Sequence, residues 1–67
     1  MNIKTEFTEP ECEWFRQQCN FTPEELAVFN LRVKANSRVE ISMKLNMSES
    51  TVDRRLKNIK RKIYKIM

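Results

Sequence analysis

The chain has 67 residues, 40% of them apolar and 33% charged, with no His, no Gly and a formal net charge of +4. That length allows one small core near the lower limit of self-sufficiency, and its Trp and four Phe favour a folded chain over a disordered one. No apolar run reaches the roughly 20 residues of a membrane span, and the acidic N-terminus lacks an apolar signal core, so a cytoplasmic place is expected.

Charge is divided along the chain. Residues 1–30 carry six acids against Lys4 and Arg16, whereas residues 31–67 carry eleven bases against Glu40, Glu49 and Asp53. After Asp53 the bases Arg54, Arg55, Lys57, Lys60, Arg61, Lys62 and Lys65 follow with no acid among them. Such density suggests a polyanionic partner; the plainer alternative is a solvated helix face with none. Cys12 and Cys19 lie seven apart, about 10 Å along one helix, which is beyond disulfide reach. They read as reduced core thiols, with an intermolecular bridge open only to an exposed one. With no His, no third Cys and no Gly-rich phosphate loop, the chain is expected to hold no metal or cofactor and to be no enzyme.

In chain order, residues 1–7 show no pattern and read as a flexible arm. A helix is predicted over 8–19: Thr8 and Glu11 form a capping box, Phe7 is placed to pack on Cys12, and Pro10 falls in the first turn. Cys12, Phe15 and Cys19 should point inward, with Trp14 at the edge. The same start grammar recurs at Phe21-Thr22-Pro23-Glu24-Glu25-Leu26 and predicts a core helix over 22–35. Its central stripe should be Leu26, Phe29 and Val33, widened by Ala27, Val28 and Leu31. Because the chain has no glycine, Asn20, Asn36 and Asn46 are expected at the left-handed positions of the three helix junctions.

Two further helices are predicted over 37–45 and 48–65. Ser37 caps the first, on which Ile41 and Leu45 share a face. Asn46 turns the chain, Met47 plugs the joint and Ser48 caps the second. Val52, Leu56, Ile59, Ile63 and Ile66 then recur at steps of 4, 3, 4 and 3, one stripe along a helix. Small Ser42, turn Asn46 and apolar Val52 have the spacing of a helix-turn-helix. The expected architecture is therefore an all-α, four-helix compact domain spanning 1–67, with a helix-turn-helix and no wing.

Phe21 to Lys62 resembles the DNA-binding domain of LuxR-type regulators and is similar to region four of bacterial sigma factors, which shares this motif. The resemblance covers about two-thirds of the chain. It rests on the opening FTPEE, on Ser37 with Glu40-Ile41-Ser42, on Leu45 and on the block MSESTVDRRLKNI. Asn46 stands where the family has a turn Gly. The chain stops at Met67, before the fourth helix through which LuxR-type domains dimerise, and the helix over 9–19 is expected to cover the core instead, as in the sigma-type domain. The resemblance implies a small bacterial or phage regulator whose partner is double-stranded DNA, with a homodimer or an RNA polymerase contact as further partners and no small-molecule ligand.

With the apolar stripe inward, Ser50, Asp53, Arg54, Lys57 and Arg61 lie on the outer side of the recognition helix, where the resembled families also place their contacts. Ser50, Asp53, Arg54 and Lys57 are the expected base contacts, Arg being suited to a guanine edge. Asp53 either accepts from a cytosine amino group or pairs with Lys57 one turn on. Arg38, Lys44, Thr51, Arg55, Lys60 and Arg61 are the expected contacts to the DNA backbone. The rival reading is a protein-interaction module, because Val52 to Ile66 also fits a heptad that could pair with another chain. A membrane-surface helix would need the apolar face that the core requires, and the basic face lacks the aromatics that stack on RNA.

Overall fold

Hydroxyl side chains start every helix among the described residues. A computed structural model describes residues 7–67, in which α1 (Glu9–Gln18), α2 (Pro23–Val33), α3 (Arg38–Leu45) and α4 (Glu49–Ile66) follow one another, with no strand among the described residues. The fold is all-α, as expected; the arm expected over 1–7 lies, apart from Phe7, outside the described residues. Thr8, Thr22, Ser37 and Ser48 each hold an extended backbone and accept from the amide three residues on. At Thr8, Thr22 and Ser37 a Glu at that third position bonds back to the cap amide and closes a capping box. Each cap satisfies an otherwise orphaned donor, an effect of about 1 kcal/mol.

The helix ends correct one expectation. Among the described residues only Ala35 (φ 75°) and Asn46 (φ 54°) have left-handed backbone, so Asn20 and Asn36 do not serve as turn asparagines. After α1, Cys19 is extended at φ −78°, ψ 132°. Thr22 caps the next helix three residues later, and between them the Phe21 amide turns back to Cys19 O at 2.9 Å. After α2, the left-handed residue is Ala35, whose amide bonds Arg32 O at 3.0 Å while the Asn36 amide reaches Leu31 O at 3.1 Å. Asn36 is buried, and it serves the helix end with its side chain: Nδ2 donates to Leu31 O at 2.8 Å and Oδ1 accepts from Lys44 Nζ at 2.7 Å.

The core gathers Cys12, Phe15 and Cys19, then Val28 and Phe29 of α2, Ile41 of α3, and Val52, Leu56, Ile59 and Ile63 of α4. Both cysteines are free and buried, and burial is the main cause that pushes their thiols up from the ordinary range. Phe7 meets Phe15 edge-on, with ring centroids 4.7 Å apart, and Trp14 stays half exposed. Arg16 fastens α1 to α2: its Nε donates to Asn30 Oδ1 at 2.8 Å and its guanidinium lies over the Phe29 ring. Ile63 is fully buried, so the core extends along most of α4 and uses the stripe that a coiled coil would need. Tyr64 and Met67 remain exposed.

The inward face of α2 is rotated from the expected Leu26–Phe29–Val33 stripe. Val28 and Phe29 are fully buried, Leu26 and Val33 only half so, and the acid Glu25 is buried one turn before Phe29. A charge can sit there because Lys62 reaches across from α4 and pairs with its Oε1, the oxygen that also accepts from the Thr22 amide. Burial pushes the Glu25 carboxyl up, but the bonds from Lys62 and Thr22 outweigh it and hold the group below its ordinary value. A carboxyl lowered in the folded state contributes stability above its unfolded pKa and loses that contribution as pH falls through the folded value.

Two stability series check these assignments by urea unfolding. Ala35→Gly should raise stability by about 0.5–1 kcal/mol by relieving a left-handed alanine, whereas Ala27→Gly inside α2 should lower it by about 1 kcal/mol. Lys62→Met should cost about 2–3 kcal/mol at pH 7, less than a fully buried pair because the lysine is one-third exposed. That gap should narrow as pH falls: the stranded carboxylate of the variant, no longer held down by Lys62, takes up a proton first, and the gap closes once the parent's own Glu25 is protonated at its lowered value.

Candidate nucleic-acid interface

The joint between α3 and α4 sets the direction of everything on α4. Asn46 takes φ 54°, ψ 48° immediately after Leu45, and its amide bonds Ser42 O. The Met47 amide reaches the same carbonyl at 3.0 Å. Asn tolerates this backbone better than most residues with a Cβ. Ser42, buried at the joint, turns its hydroxyl to Val39 O at 2.7 Å, which satisfies it without adding bulk between the helices. Ile41 and Val52, one on each helix, are both fully buried. The helix-turn-helix is thus built from the residues that the sequence spacing marks.

With its apolar stripe fixed from behind, α4 turns Ser50, Arg54, Lys57 and Arg61 to solvent at steps of 4, 3 and 4. Among the described residues no acid lies within ion-pair distance of Arg54, Lys60 or Arg61. Thr51, Asp53 and Lys60 sit on the two flanks and are partly buried. The structure therefore brings Ser50, Arg54, Lys57 and Arg61 onto one outward ridge, with Asp53 beside it.

Two further bases of α4, Arg55 and Lys62, face the rest of the fold, while Lys65 is exposed near the C-terminus. Arg55, expected at the DNA backbone, faces the start of α2, where Nη2 meets Glu24 at 2.7 Å and Nε is buried without a partner. Lys62 also donates to Asn20 O at 2.8 Å, beside its pairing with Glu25. The adjacent acids Glu24 and Glu25 are the signal that could have marked both lysine and arginine as internal partners. On the opposite flank Arg38 lies 3.6 Å from both Glu49 and Asp53, and Asp53 lies 3.8 Å from Lys57. Lys44 is occupied by Asn36, as described above.

Sequence reasoning passed over Arg32. It lines a cleft of about 410 Å³ between the start of α3 and the middle of α4, together with Arg38, Lys60 and Asp53. Its Nη1 donates to Asn36 O at 3.1 Å, which fixes the guanidinium near the α2–α3 turn. Nothing in a linear reading marks it, because Arg32 and Lys60 come together only once α2 has packed on α4. Among the described residues no group of three or more His, Cys, Asp or Glu is placed to hold a metal ion, and no helix is long and apolar enough to cross a membrane.

A basic ridge on the second helix of a helix-turn-helix is what a reader of duplex DNA presents. Comparison with protein families agrees: residues 19–64 match the family described as bacterial regulatory proteins, luxR family. Comparison with curated proteins and with solved structures gives no match. The match begins at Cys19, after α1, and takes in the whole helix-turn-helix. On a match over most of its length, the chain belongs to the luxR family of bacterial regulatory proteins and is, at the level of that family, a DNA-binding regulator.

Proposed function

We propose that this protein is a sequence-specific transcriptional regulator that lays α4 in the major groove of cytoplasmic DNA. The observation that carries this reading is the outward ridge of Arg54, Lys57 and Arg61, set on a helix whose opposite face is locked in the core. A helix with side chains is about 10–12 Å across and fits a major groove about 12 Å wide. Ser50, Asp53, Arg54 and Lys57, near the start of α4, read base edges, with Arg54 offering a bidentate match to guanine. Arg38, Lys44, Thr51, Lys60 and Arg61 hold phosphates and fix the register. The pairing of Arg55 with Glu24 supports a positioning role for that residue in place of a phosphate contact. A second copy or RNA polymerase would have to use surfaces other than the buried stripe of α4, such as exposed Trp14, Tyr64 and Met67.

Selection from random duplexes with the purified chain, repeated at two salt concentrations, tests the reading. One motif should be enriched, and binding should weaken steeply with salt. Salt dependence without enrichment would reduce the protein to a nonspecific polyanion binder. On the selected site Arg54→Ala should cost about 1–3 kcal/mol and relax the preference at one base position. Lys60→Ala should weaken every duplex alike and flatten the salt slope by about 1.

A further inference from the structure

We infer that Asp53 is a specificity-determining residue that acts against sequence-blind binding, by holding Arg38 of α3 and Lys57 of α4 in one ion-pair bracket at the edge of the basic ridge. This rests on the reading that α4 enters the groove. The geometry is local. Asp53 Oδ1 lies 3.6 Å from Arg38 Nη1, and its Oδ2 lies 3.8 Å from Lys57 Nζ. Glu49 supports the bracket from the start of the helix, 3.6 Å from Arg38 Nε. All four side chains are exposed by 45% or more, so each pair is weak and can open when a stronger partner arrives.

Duplex DNA is such a partner for the two cations and a repulsive one for the carboxylate. When the ridge meets a duplex of arbitrary sequence, phosphates draw Arg38 and Lys57 away, and Asp53 is left facing a polyanion with its partners removed. When the groove presents a cytosine amino group at that point, the carboxylate gains a donor in their place. The same side chain therefore penalises most sequences and not the matching ones. Specificity arises here from a repulsive element as much as from an attractive one.

The test compares the parent chain with Asp53→Asn, Asp53→Glu and Glu13→Gln on the selected duplex and on a scrambled duplex, across a salt series. Glu13→Gln removes the same charge on α1, where Glu13 pairs with Arg16, and so controls for net charge. Asp53→Asn should tighten binding to the scrambled duplex about tenfold at 0.1 M salt and steepen its salt slope by about 1, as one further phosphate is neutralised. Binding to the selected duplex should gain less, so the ratio between the two falls. Asp53→Glu, which keeps the charge, should retain the low scrambled affinity. An unchanged ratio in Asp53→Asn, or an equal effect from Glu13→Gln, overturns this inference while leaving DNA recognition standing. A parent chain that prefers no duplex overturns both.

Discussion

The periodicity of α4 is the constraint on which the molecule depends. With 3.6 residues per turn, every side chain of that helix has its direction settled once Val52, Leu56, Ile59 and Ile63 are buried. The cations cannot choose a face independently. Those between the apolar positions divide into an outer ridge and two flanks, and each flank meets a different neighbour: acids of α2 on one side, Arg38 of α3 on the other. The basic run that looks uniform in the sequence is thereby sorted into cations that hold the fold and cations that stand on its outer face.

This sorting explains how the two tasks coexist in so small a domain. Like charges crowded on one helix oppose compaction. Pairing Arg55 and Lys62 with Glu24 and Glu25 removes two of them from that repulsion and ties the start of α2 to two turns of α4. The acid-rich first half of the chain is therefore more than a surface feature, because it supplies counter-charges to the basic second half. Beside this, α1 lies ahead of the stretch shared with the luxR family yet contributes Cys12 and Phe15 to the core, so the shared helices are sealed by an element the family match does not include.

What could be read from the sequence follows the range of the interactions involved. The caps at Thr8, Thr22, Ser37 and Ser48 are local, each closed by the residue three positions on, and all four were legible. The apolar stripe of α4 and the turn at Asn46 were legible for the same reason. Asn20 and Asn36 were not, because backbone sign there depends on how the chain reaches the next helix and on which carbonyl a buried amide can find. The inward roles of Glu25, Arg55 and Lys62 join residues 31 or more positions apart in the chain, and no periodicity reveals such a pair before the helices pack. The ridge itself was legible as a face, and so was the Asp53–Lys57 pair one turn apart; the reach of Arg38 to Glu49 and Asp53 was not.

The shared oxygen of Glu25 has one more consequence. Helix starts are normally the first places to fray, since their early amides have little to hold them. Here the oxygen that receives the Thr22 amide also receives Lys62 from the far end of the chain. The opening turn of α2 therefore cannot loosen without also breaking the bond from Lys62 of α4. A boundary that would otherwise rest on its own cap alone is held from a second helix as well, which slows proton exchange at the Thr22 amide.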